Sequence, residues 1–198
     1  TLNSDTEVIL TPLPLYHIFS LTVNCLTFMA LGAHSVLVTN PKDLAGLIKT
    51  MEKYKPTAMT GVNTLYNALL NHPDFGPKAT VNIKASVAGA TALQDAVAKK
   101  WKELTNTEII EGYGLTEASP LVSINPLDGS GKTGTIGLPA PSTDVKLVKD
   151  DGSDAVLGEA GELCVRGPQI MKGYWQRPDE TAKTFNGEWL LTGDIAVM

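Results

Sequence analysis

The sequence predicts an α/β protein: a parallel sheet with flanking helices, part of a doubly wound subdomain, followed by a small, mostly antiparallel β subdomain. Two observations carry that expectation. Over the first 125 residues short β-rich apolar runs alternate with segments of helical periodicity, the pattern that strands joined by right-handed crossovers produce. Past Pro126 the pattern changes to polar/apolar alternation of period two between glycine-rich turns, which suits half-exposed antiparallel strands. The first unit is therefore expected over residues 1–125 and a β-rich, barrel-like unit, cut short, over 126–198, with the change falling between Ile124 and Lys132.

The elements follow in order. A strand at Val8 to Leu10 leads to a helix near Ile18 to Leu31, then a strand at His34 to Val38. Leu44, Leu47, Ile48, Met51 and Tyr54 recur at helical spacing, with Asp43 as N-cap and Pro56 closing the run. A strand at Thr57 to Val62, a helix at Thr64 to Leu70 and a strand at Ile83 to Ala88 come next. In the following helix Leu93, Val97, Trp101 and Leu104 form the apolar face while Lys99, Lys100 and Lys102 look outward. A fifth strand, Thr107 to Ile110, precedes the glycine-rich stretch Glu111–Glu117. In the second unit Asp144–Lys149 and Glu162–Arg166 read as strands, Asp150-Asp-Gly152 as a turn, and Trp189-Leu-Leu as a strand ending in Thr192-Gly193-Asp194.

Composition narrows the function classes. Of 198 residues 43% are hydrophobic and 19% charged, enough apolar material for a real core. Net charge is −5 and no Lys/Arg run occurs, so no nucleic-acid partner is expected. Positive charge for a polyphosphate is not clustered either, which places much of any phosphate cradle outside this chain. The stretch Ile18–Leu31 is broken by Ser20, Thr22, Asn24 and Thr27 and falls short of the roughly 20 apolar residues a membrane span needs. Cys25 and Cys164 read as buried thiols of a reducing compartment, and His17, His34 and His72 have no metal-ligand spacing with them. The chain opens at Thr1 and stops within a strand pattern at Met198, which reads as an excerpt of a longer protein.

Ligands of a parallel sheet bind beyond the carboxyl ends of its strands. Three loops there stand out. Glu111-Gly-Tyr-Gly-Leu-Thr-Glu117 would hold Tyr113 between Gly112 and Gly114 on an open loop, its ring free to stack on a nucleobase. Thr116 and Glu117 would address a phosphate oxygen and a hard cation such as Mg²⁺. The same residues also read as a strand-to-helix turn with a surface Tyr and a Glu favoured by the helix dipole. Pro12-Leu-Pro-Leu-Tyr-His17 offers a histidine that is either structural or catalytic, and Ala88-Gly89-Ala90-Thr91 is either a tight turn or a close backbone approach to ligand. Asp194 could accept both hydroxyls of a ribose or be an ordinary turn aspartate.

Together these motifs, with Gly161–Pro168, Gly173-Tyr-Trp175 and Trp189–Asp194, resemble the adenylate-forming, AMP-binding superfamily of acyl-CoA synthetases, luciferases and peptide-synthetase adenylation domains. The nearest resemblance is to the bacterial long-chain fatty acid CoA ligases. It implies an ATP-dependent acid–thiol ligase of fatty acid metabolism. A fatty acid carboxylate would attack the α-phosphorus of ATP to give acyl-AMP and pyrophosphate, and the thiol of coenzyme A would then displace AMP. The resemblance also assigns roles: Tyr113 on adenine with Glu111, Gly112 and Gly114 beside it, Thr116 on the α-phosphate, Glu117 on Mg²⁺, Asp194 on the ribose, His17 by the reacting carboxylate, and Gly89 and Ala90 lining the adenine and acyl pocket. It places the complete protein in the cytoplasm, with peripheral contact at the inner membrane open. The family's Pro-Lys-Gly phosphate loop and carboxyl-terminal domain with its lysine have no counterpart in this sequence, so the chain is expected to be inactive alone. Ala88-Gly-Ala-Thr-Ala92 departs from the consecutive glycines that relatives often carry. Two other readings stand beside this one: an adenylating relative with another acid, and a scaffold that binds nothing and self-associates.

Overall fold

The computed structural model describes residues 6–198. Strands β1 (Val8–Thr11), β2 (His34–Leu37), β3 (Ala58–Gly61), β4 (Ala85–Ala88) and β5 (Ile109–Gly114) pair in parallel, in the order β2-β1-β3-β4-β5. β6 (Leu121–Ile124) and β7 (Leu138–Pro139) extend the same sheet antiparallel beyond β5. A second, antiparallel sheet has the order β10-β11-β9-β8, from β8 (Asp144–Val148), β9 (Ala160–Arg166), β10 (Phe185–Asn186) and β11 (Trp189–Val197). The expected fold class is thus observed. The pattern changes near Pro126, whereas the second sheet begins at Asp144, because β7 still belongs to the first.

Side chains on alternate residues of a strand face opposite sides of the sheet, and the core divides accordingly. Leu10 and Met59 meet one layer of helices: α3 (Leu44–Tyr54), α4 (Asn63–Leu70), the short α5 (Pro77–Thr80) and α6 (Asp95–Thr105). Ile9 and Ala58 face the other way and meet Phe28. Asp43 caps α3 as expected, its Oδ1 accepting the Gly46 N–H at 3.0 Å, and the buried face is Leu47, Ile48 and Met51. Burial of each stabilises by about 1.5–3 kcal/mol. Under α6, Trp101 is fully buried edge-to-face with Tyr66, ring centroids 4.9 Å apart. α5 and α7 (Pro178–Thr184) were not legible in the sequence; each begins at a proline and is too short to show a helical period.

One expected helix is altered. Ile18 to Ala30 is continuous, but between α1 (Ile18–Ser20) and α2 (Phe28–Ala30) the segment Leu21–Thr27 has π-helical bonding. Asn24 lies in that wider turn and is fully buried. Its Nδ2 donates to the Leu10 carbonyl and to Thr11 Oγ1, both at 3.2 Å, while its Oδ1 accepts from Thr60 Oγ1 at 2.8 Å. The segment is therefore pinned across the ends of β1 and β3 by a buried polar network. Asn24→Ala leaves the Thr60 hydroxyl and the Leu10 carbonyl without this partner, and we expect urea denaturation to show a loss of about 2 kcal/mol. An unchanged midpoint would mean that water replaces the amide at no cost.

Candidate active site

Parallel strands deliver their carboxyl ends to one edge of the sheet, and the loops predicted as site loops meet there. They line one cleft of about 650 Å³, within the range that small-molecule sites occupy. Its walls include His17, Phe19, Thr22 and Val23 from the helical segment, Gly89 and Ala90 after β4, and the run from Gly112 to Leu121. Pro168 and Gln169 close the far side. Thr22 Oγ1 donates to the Ser119 carbonyl at 3.3 Å, bridging the cleft between the helical segment and the turn after β5.

The stretch Glu111–Glu117 differs from the open loop expected. β5 continues through Gly114, with Gly112 opposite Ile124 and Tyr113 opposite Ser123 on β6. These residues stay in the strand because β6 returns at once and satisfies their backbone groups. Gly114 permits the return: a Cβ there would overlap the Pro120 carbonyl. Thr116 and Glu117 then occupy a 3₁₀ turn, Thr116–Ala118, rather than the first turn of a long helix.

Tyr113 is consequently half-buried, not a free ring. Its hydroxyl donates to Asp194 Oδ2 at 2.5 Å. Burial and the neighbouring carboxylate together push the phenol from 10.0 up to about 12. Asp194 was expected at a strand end, yet β11 runs on past it. Its pairing with β9 shifts register between Leu191 and Ile195, and there Thr192 Oγ1 holds the Leu163 carbonyl at 2.7 Å while the Gly193 N–H reaches Glu162 Oε1 at 2.9 Å. That bulge turns Asp194 towards Tyr113.

Glu111 does something else. It is buried, and its carboxylate accepts the Leu93 N–H at 3.0 Å and the Gly134 N–H at 2.7 Å. It ties two loops to β5, and its side chain faces away from the cleft because both oxygens serve those amides. His17 caps α1: its Nδ1 accepts the Phe19 N–H at 3.2 Å, so the neutral ring carries its proton on Nε2, available as a donor at the cleft.

Glu117 Oε1 accepts from the Tyr174 hydroxyl at 2.7 Å, and Oε2 has no protein partner among the described residues. Among the described residues no cluster of three or more His, Cys, Asp or Glu could hold a metal unaided. Mg²⁺ uses one or two carboxylates together with substrate phosphates, and a single carboxylate with one free oxygen fits that demand. Two residues given no role in the sequence reading are Tyr174 and Gln169. Gln169 Nε2 donates to the Leu121 carbonyl at 3.0 Å and to Thr143 Oγ1 at 2.8 Å, and its buried Oε1 is unpartnered. Tyr174 falls within Gly173-Tyr-Trp175, one of the stretches that carry the resemblance, whereas Gln169 lies just past Gly161–Pro168 and had no signal of its own.

The Tyr113 phenol fixes a pH dependence. Its folded value lies above the unfolded one, so its contribution to stability is complete below pH 10 and is lost as pH rises towards about 12. The difference in unfolding free energy between the wild type and Tyr113→Phe should narrow across that window in denaturation at stepped pH. A constant difference would mean that the phenol is no less solvated in the folded state.

The profile of the "AMP-binding enzyme" family matches residues 1–175. The chain is 54% identical over 197 residues to a long-chain-fatty-acid–CoA ligase of Salmonella typhimurium, covering 100% of this chain and 35% of that protein. It is 39% identical over 194 residues to the ligase of the same name from Bacillus subtilis, covering 97% and 34%. A crystal structure of an anthranilate CoA ligase in complex with anthranoyl-AMP superposes with TM-score 0.92 at 27% identity, over 99% of this chain and 38% of that one. The chain spans about a third of the length of the curated relatives it matches. Sequence match, fold and the placement of the motif loops around one cleft agree: this chain belongs to the AMP-binding, adenylate-forming enzyme family.

Proposed function

We propose that this chain forms the acyl-adenylate site of a long-chain fatty acid CoA ligase. The observation that supports this most is a cleft lined both by Tyr113, Thr116, Glu117 and His17 and by the apolar side chains of Phe19, Val23 and Ile124. Polar groups suited to a nucleotide and apolar surface suited to a chain line the same cleft. Residues 1–125 supply the base, phosphate and acyl subsites, and residues 126–198 bring Asp194 and Tyr174 to them.

In this reading adenine stacks on Tyr113 between Gly112 and Gly114, the ribose hydroxyls meet Asp194, and the Gly89–Ala90 backbone forms the opposite wall. Thr116 donates its hydroxyl to the α-phosphate. His17 Nε2–H orients the reacting carboxylate. A carboxylate oxygen forms a bond to the α-phosphorus as the bond to pyrophosphate breaks; the sulfur of coenzyme A then attacks the acyl carbonyl and AMP leaves. Mg²⁺ held by Glu117 would neutralise charge on the phosphates. The chain's own residues contribute position and hydrogen bonds, since phosphoryl and acyl transfer need reactants aligned more than new covalent partners. The proposed place of action is the cytoplasm, with peripheral contact at the inner membrane; no helix among the described residues is long and apolar enough to cross a membrane.

The test is calorimetric titration with non-hydrolysable acyl-AMP analogues. A stacked base contributes about 1–3 kcal/mol, so Tyr113→Ala should weaken binding at least about 5-fold. A palmitoyl analogue should also bind more tightly than an acetyl one, because each buried methylene adds up to about 0.8 kcal/mol. Equal affinity for both chains would remove the fatty acid assignment, and an unaffected Tyr113→Ala would remove the adenine site.

A further inference from the structure

Glu117 sits on a 3₁₀ turn of three residues, too short to fix the direction of a flexible side chain by itself. Two contacts from the segment after β9 supply what the turn lacks. The Met171 N–H donates to the Glu117 carbonyl at 2.8 Å, and the Tyr174 hydroxyl donates to Glu117 Oε1 at 2.7 Å. Backbone and side chain of Glu117 are thus gripped by the same segment. Tyr174 is placed in turn by α7: its backbone N–H donates to Thr181 Oγ1 at 2.9 Å, and that hydroxyl donates to the Arg177 carbonyl at 2.9 Å. Gly173 allows the close approach, since its φ is +145° and a Cβ would come within 2.7 Å of Thr181 Cγ2.

The chemistry of the donor matters. A neutral phenol has one proton to give, so it occupies one lone pair of Oε1 and leaves Oε2 open. A Lys or Arg in its place would also anchor the carboxylate, but would set a positive charge against the cation that Glu117 is to hold. A phenol ordinarily titrates at about pH 10, so the donor keeps its proton at neutral pH. Resting on the reading of Glu117 given above, we propose that Tyr174 is a positioning residue for the metal site: it fixes the Glu117 carboxylate with Oε2 presented to the cation of a metal–nucleotide complex.

The metal-dependent gain in nucleotide affinity tests this. Binding of α,β-methylene ATP is measured calorimetrically with Mn²⁺ and again with EDTA, for the wild type, Tyr174→Phe, Glu117→Gln and the double variant. Outer-shell partners of metal ligands typically account for 10- to 100-fold in metal affinity, so Tyr174→Phe should lose about 10-fold of the gain and leave the metal-free Kd unchanged. Glu117→Gln should abolish the gain, and adding Tyr174→Phe to it should change nothing more, because the two act through one interaction. Equal weakening with and without metal would show a merely structural tyrosine and overturn the proposal. A full gain in Tyr174→Phe beside none in Glu117→Gln would also overturn it while leaving the role of Glu117 intact. If Glu117→Gln keeps the gain, the reading of Glu117 falls and the proposal with it.

Discussion

The site depends on the change of strand direction at β5. On one side β5 pairs in parallel with β4, and on the other it pairs antiparallel with β6. Parallel neighbours need long crossovers that return to the opposite edge, whereas antiparallel neighbours need only a short turn. That turn therefore falls at the same edge as the loops after β1 and β4. His17, Gly89 and Ala90, and Thr116 and Glu117 share one cleft for this reason. The reversal is tight enough that Gly114 must lack a side chain, since the Pro120 carbonyl occupies the space a Cβ would take.

Environment divides the carboxylates of the site into two kinds. Glu111 is buried and spends both oxygens on backbone amides, so it stabilises the loops that frame the cleft. Asp194 and Glu117 each accept one phenol. The exchange is reciprocal. The first sheet gives Tyr113 to Asp194 on the second, and the segment after β9 gives Tyr174 to Glu117 beside the first. Hydrogen bonds from neutral donors hold the two parts together without cancelling the negative charge that a cation would need. The buried Asn24 network plays the matching part on the opposite wall, where it holds the π-helical segment across β1 and β3.

Much of this architecture was legible in the residues. The N-cap Asp43, the face of Val97 and Trp101, and the period-two alternation of Asp144–Lys149 depend on neighbours a few positions away, and local periodicity records them. Less legible was the state of Tyr113. Two flanking glycines suggest a loop, yet they also suit a strand in close contact with a returning neighbour, and only the pairing with β6 decides between them. The same holds for Thr192-Gly193-Asp194, which reads as the end of a strand but is a bulge within β11.

The sequence by itself determined the alternation of strands and helices, the order of the site loops along the chain and the family resemblance, because each is written in short-range pattern. Tertiary structure alone decided what each polar side chain does. Glu111 meets partners 18 and 23 residues away, Glu117 one 57 away and Tyr113 one 81 away. Whether a carboxylate binds a ligand, ties a loop or anchors a phenol follows from which donors the folded chain brings within hydrogen-bond distance. Chain separations of that length leave no periodic trace in the residues between.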